Sequence, residues 1–98
     1  MRPGDDPAAR LARALGRSAN AAGLDAQILS LRSRTWASAT FAGERVTVRL
    51  ALTGDSAAWL AGLPAVELPM RRCLVADLVV TRTDASSATL EALLLEVA

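Results

Sequence analysis

The sequence predicts an α+β fold: a four-stranded, mostly antiparallel sheet of two β-hairpins, with an N-terminal helix and a short helix between the hairpins (α-β-β-α-β-β). Three observations predict it. Residues 45–52 alternate strictly, with Val46, Val48, Leu50 and Leu52 on one face and Arg45, Thr47, Arg49 and Ala51 on the other, the pattern of a half-buried strand. Residues 7–22 put Ala8, Leu11, Ala12, Leu15, Ala19 and Ala22 on one stripe at helical spacing. Residues 71–82 alternate again, and residues 88–97 can fold back on them after a short turn.

The helix has a start and a stop. Asp6 suits the N-cap and Pro7 the first helical position. Gly23 suits the C-terminal cap, with Leu24 packing back behind it. Residues 1–6 read as a disordered lead-in to a single domain over 7–98.

Residues 26–41 read as the first strand, bent near Ser33, and residues 45–52 as the second. A two-residue turn at Gly43-Glu44 would pair Phe41 with Val46, Ala39 with Val48 and Ala37 with Leu50. Leu29, Leu31, Ala37, Ala39 and Phe41 then join the apolar face, leaving Arg32, Arg34 and Trp36 on the outer face near Arg49.

Thr53-Gly54-Asp55 ends the second strand, and Asp55 offers an N-cap to a short helix over 56–61 that Gly62 stops. Trp59, Leu60 and Leu63 can reach the core. Residues 64–69 read as extended, because a residue preceding proline avoids the helical region.

In the third strand Leu74, Ala76, Leu78 and Val80 share one face, and Cys73, Val75, Asp77 and Val79 the other. Both faces are largely apolar, which suits a central strand or a dimer face. Residues 83–87 form a turn. Leu90, Leu93, Leu94 and Val97 also fit helical spacing, but a strand with Leu90, Ala92 and Leu94 facing Val80, Leu78 and Ala76 completes a second hairpin.

Composition narrows the function. A chain of 98 residues buries roughly 60–65% of its unfolded surface. With 52% hydrophobic residues and a mean hydropathy of +0.30, more apolar surface exists than one small core can hold, which favours a self-association surface. The net charge of +1 gives no global field for nucleic acid or anionic membrane. All 11 basic residues are arginine. The sequence has no histidine, which excludes histidine triads and histidine-ligated metals. Its one cysteine excludes an internal disulfide and a cysteine zinc site, and suits a reducing, cytoplasmic compartment. No apolar run is long enough to span a bilayer, and the N-terminus lacks the pattern of a secretion signal. No metal and no cofactor is expected.

Four features could carry chemistry. Arg32, Arg34, Trp36 and Arg49 on the outer face could hold an anion or a nucleobase by charge and cation–π contact. Asp77, between Val75 and Val79, could act as a base, or pair with Arg34 or Arg49. Cys73 has no histidine to activate it as a nucleophile. Arg10, Arg13 and Arg17 form a basic stripe along the first helix, the usual form of a solvated outer face.

The segments W-A-S-A-T-F-A-G at 36–43 and L-V-A-D-L-V-V at 74–80 resemble parts of short bacterial proteins that carry no assigned function. The resemblance covers about half of the chain, centred on the two hairpins. It implies an α+β domain with a C-terminal strand, and no activity.

The expected function is a small non-enzymatic interaction module that self-associates through its sheet as a homo-oligomer, without membrane contact. The alternative is a nucleic-acid or anionic-ligand binder using Arg32, Arg34, Trp36 and Arg49. A carboxylate enzyme centred on Asp77 is the third reading.

Overall fold

Six principal elements build the chain: helix α1 (Pro7–Ala21), strands β1 (Asp25–Ala37) and β2 (Ala42–Thr53), helix α2 (Ala57–Gly62), and strands β3 (Cys73–Thr83) and β4 (Ser87–Glu96). The structure is a computed structural model that describes residues 6–66 and 68–97. The expected lead-in lies outside the described residues except for Asp6, and the expected extended segment 64–69 does so at Glu67. The strands form one open antiparallel sheet in the order β1-β2-β4-β3. Both hairpins lie in it, joined by the β2–β4 pairing, and the C-terminal segment is a strand.

The ends of α1 are fixed by the residues the sequence offers. An Asp6 carboxylate oxygen accepts a hydrogen bond from the Ala9 N–H at 2.8 Å. At the other end Gly23 takes a φ of 79°, which only glycine enters freely. The N–H groups of Gly23 and Leu24 donate to the carbonyls of Asn20 (3.0 Å) and Ala19 (2.9 Å), closing a Schellman cap with Leu24 buried behind it. Leu11, Leu15 and Ala19 point into the core; Ala14 joins them in place of Ala12, which is half-buried, and Ala22, which caps the helix and is exposed.

The core lies between α1, α2 and one face of the sheet. On that face Val46 sits between Ser33 and Ala92, Val48 between Leu31 and Leu90, and Leu50 between Ile28 and Ala88. Leu90 and Ala92 face Val80 and Leu78 across the second hairpin, in the expected register. α2 docks through Trp59, whose indole N–H donates to Ser18 Oγ of α1 at 3.0 Å. Ser56 rather than Asp55 occupies its N-cap position, without a side-chain cap bond, and the chain continues past Gly62 into a 3-10 turn over Leu63–Ala65 that buries Leu63.

Four expectations need correction. The first hairpin turns through a four-residue loop at 38–41, not at Gly43-Glu44. Ser38 holds that loop, donating its N–H to the Phe41 carbonyl (2.8 Å) and accepting the Phe41 N–H at its Oγ (3.1 Å). Gly43 instead lies within β2, paired with Trp36 on one side and Leu95 on the other. Phe41 is therefore 55% exposed at the hairpin tip, not in the core. Val46 meets Ser33 rather than Phe41. The slip is an even number of residues, so the division into two faces survives it.

The second correction concerns β1, which is an edge strand with a bulge at Leu29 rather than a bend at Ser33. The helices do not reach all of it, and Ile28, Leu29 and Leu31 stay exposed. Third, β3 is also an edge strand, which removes the central strand from the two alternatives for its apolar faces. It starts after Arg72, whose φ of 58° breaks the extended run. Fourth, a bulge at Ala76 reverses the faces of the first residues of β3. Cys73 and Val75 turn to the helix side with Glu96 and Leu94, and Leu74 turns outward beside Leu95.

Gly43 is buried, and a Cβ there would overlap the backbone carbonyl of Leu94. A Gly43→Ala substitution is therefore expected to destabilise the fold by about 2 kcal/mol or more. Gly16 on α1 has open space around its Cα hydrogens, so Gly16→Ala is expected to stabilise by up to about 1 kcal/mol. Urea midpoints of the two variants check both signs.

Candidate functional site

The sheet has one covered face and one open face. Pairing across all four strands sorts the open face into rows. Trp36, Gly43, Leu95 and Leu74 make the first, and Arg34, Arg45, Leu93 and Asp77 the second. Arg32, Thr47, Glu91 and Val79 make the third, and Ser30, Arg49, Thr89 and Arg82 the fourth. All five residues singled out from the sequence, Arg32, Arg34, Trp36, Arg49 and Asp77, lie on this face.

They do not form one cluster. Arg34 on β1 and Asp77 on β3 occupy the same row at opposite edges of the sheet, with Arg45 and Leu93 between them. Three strand spacings separate them by about 14 Å, so the expected pairing of Asp77 with Arg34 within one chain is absent. Among the described residues the side chains of Arg32, Arg34, Arg45, Arg49, Asp77 and Glu91 make neither a hydrogen bond nor an ion pair.

Arg32 and Arg34 do come together with Arg45, which the sequence placed on the right face but not in the site. The three line a shallow cleft of about 420 Å³ with Thr47 and Glu91. Arg49 lies one row beyond the cleft. Trp36 is half-buried and pairs across the strands with Gly43, which has no side chain. The arginines thus gather on the β1–β2 half of the face, except for Arg82 of β3 in the fourth row. The β4–β3 half carries Leu74, Val79, Leu93 and Leu95 with the carboxylates of Asp77 and Glu91. Leu74 is 54% exposed and Val79 44% exposed.

Asp77 also borders a groove of about 490 Å³ between β3 and the segment from Leu63 to Met70, lined mainly by Leu63, Val66, Leu68, Met70 and Leu74. Cys73, on the opposite face from Asp77, joins the ionisable groups at the N-terminal end of α1. Arg10 donates to the Arg71 carbonyl at 2.6 Å and reaches Cys73 Sγ at 3.5 Å, so the basic stripe helps dock the helix on the start of β3. Arg10, Arg13 and Arg17 border a small cleft of about 190 Å³ with Arg71. Burial pushes the Cys73 thiol above its ordinary range; the Arg10 guanidinium opposes this, and Glu96 and Glu44 add to it.

Glu44 faces the helix side in a row with Thr35, Leu94 and Val75. Its Oε2 is buried and accepts no hydrogen bond among the described residues. Burial raises its carboxyl above the ordinary carboxylate value, and the negative charges of Asp6 and Glu96 raise it further. Among the described residues no group of three or more acidic or cysteine side chains could hold a metal ion. No helix among them is long and apolar enough to cross a membrane.

No protein-family model, no curated protein and no solved structure matches the chain.

The raised carboxyl of Glu44 binds its proton more tightly in the folded chain than in the unfolded one. Its contribution to stability is present below the unfolded value and lost as pH rises through the folded one. Glu44→Gln is therefore expected to raise the urea midpoint at pH 7, with the gain shrinking towards pH 4. Urea unfolding across that range checks it.

Proposed function

We propose that the protein is a small non-enzymatic interaction module that self-associates through the open face of its sheet. One observation carries this: among the described residues no helix covers the second face of the four-stranded sheet, and that face holds Trp36, Leu74, Val79 and Leu93 among charges of both signs. Apolar surface of this extent on a small domain gains from removal from water. The charges beside it have no partner within the described chain, so docking can supply partners that the fold does not. A cytoplasmic setting belongs to the same reading, supported by the single free thiol of Cys73.

A second reading is favoured by the cleft where Arg32, Arg34 and Arg45 converge. Three guanidinium groups beside a half-buried tryptophan suit a phosphate backbone and a stacked base. Glu91 at the same cleft and the near-neutral chain count against it.

Light scattering on a size-exclusion column separates these readings. The self-association reading expects a species larger than the 10.2 kDa chain at micromolar concentration. Leu93→Arg, which places a charge at the centre of the face, is expected to weaken association about tenfold or more without loss of secondary structure. A strict monomer at millimolar concentration would overturn it. For the second reading, titration of a single-stranded oligonucleotide at low salt is expected to quench Trp36 fluorescence and to lose affinity as salt rises. No binding at low salt rules it out.

A further inference from the structure

We propose that the occupant of the open face is a second copy of the same chain, docked face to face about a two-fold axis that runs along the strands. This inference rests on the self-association reading and adds the geometry of the pairing.

The strand order β1-β2-β4-β3 places β1 and β3 at opposite edges of the sheet. Two identical sheets can stack on their open faces about a two-fold axis in the plane between them, lying either across the strands or along them. An axis across the strands puts β1 over β1 and β3 over β3. The order of the rows is then reversed, so that Arg34 lies against the partner's Arg32, and Arg32 against the partner's Arg34, while Asp77 faces the partner's Val79 and gains no cation. An axis along the strands puts β1 over the partner's β3 and β2 over the partner's β4. The basic half of each face then meets the half that is apolar and acidic. Like charges brought face to face cost several kcal/mol, so charge selects the second arrangement.

The rows agree with that choice. An axis along the strands keeps each row over its own row, reversed. In the first row, Trp36 covers the partner's Leu74, and Leu95 stands over the partner's Gly43, where no side chain takes up space. In the second row, Arg34 meets the partner's Asp77, and Arg45 lies against the partner's Leu93. In the third row, Glu91 sits over the partner's Thr47, whose strand neighbours on the same face are Arg45 and Arg49. Each contact occurs twice. The fourth row carries arginines without acids and forms the wet margin at one end.

The size is sufficient. Four strands at about 4.8 Å spacing and about ten residues of length give a flat patch of roughly 650 Å². Side chains roughen it towards the roughly 800 Å² per partner of a standard interface. The twist of each sheet leaves the two strand directions about 30° apart, as in aligned sheet packing.

Charge reversal at the two ends of the second row tests the axis. Arg34→Asp and Asp77→Arg each place like charges together twice in a homodimer. Each is expected to raise the dimer dissociation constant about tenfold or more. A mixture of the two variants restores both opposite-charge contacts in the heterodimer, as does the double variant in its homodimer. Sedimentation equilibrium is expected to recover the wild-type dissociation constant to within about threefold in both cases. Both side chains are exposed and have no partner among the described residues, and circular dichroism verifies that the variants fold. If the wild-type chain dimerises but the variants show no mutual rescue, the proposed axis is overturned while self-association stands. A wild-type chain that stays monomeric at millimolar concentration overturns both.

Discussion

The pairing of β2 with β4 is the constraint on which the rest of this structure depends. It joins two hairpins that would each be marginal alone. It also gathers Val46, Val48 and Leu50 beside Ala92, Leu90 and Ala88 on one face, all of them buried. Helix α1 contributes few large apolar side chains, chiefly Leu11 and Leu15. A helix so rich in alanine gains its stability from the surface it covers. Gly43 belongs to the same constraint, because the approach of its backbone to that of Leu94 leaves no room for a Cβ.

Much of this was legible in the sequence, and the failures have local causes. Strict alternation over residues 45–52 identified β2 because this strand is polar on one side only. The cap residues Asp6, Pro7 and Gly23 marked α1 because each answers a specific backbone need at a helix end. The turn of the first hairpin was misplaced because a glycine beside a polar residue is a strong turn signal. Here the glycine serves close strand approach, and the turn relies on Ser38, a weaker cue. The bulge at Ala76 was invisible, since Leu, Val and Ala fit either face of a strand equally well. The apolar run of β3 read as a central strand or a dimer face because both of its faces are apolar. In fact it is an edge whose outward residues have no cover.

The candidate site was legible as a face but not as a set of distances. Side-chain parity placed Arg32, Arg34, Trp36, Arg49 and Asp77 together, and parity survived a register slip of even length. Strand order cannot be read from parity, so the separation of Arg34 from Asp77 across the width of the sheet came only from the fold. That separation changes the meaning of both residues. A near pair would be neutral and closed. A distant pair leaves the first three rows of the face positive on one half and negative and apolar on the other. Arg45 was missed because its neighbours in the cleft, Arg32 and Arg34, come from the other strand through the unforeseen register.

The distribution of charge and apolar surface makes the open face the place where a second copy is expected to dock. Intermolecular NOEs between methyl-labelled and unlabelled copies of the chain test it most directly. The prediction is a set of contacts on the open face: Leu74 methyls to the Trp36 indole of the other copy, with Leu93, Leu95 and Val79 also in contact. Contacts confined to Ile28, Leu29 and Leu31 at the β1 edge, or to the helix side of the sheet, would contradict it.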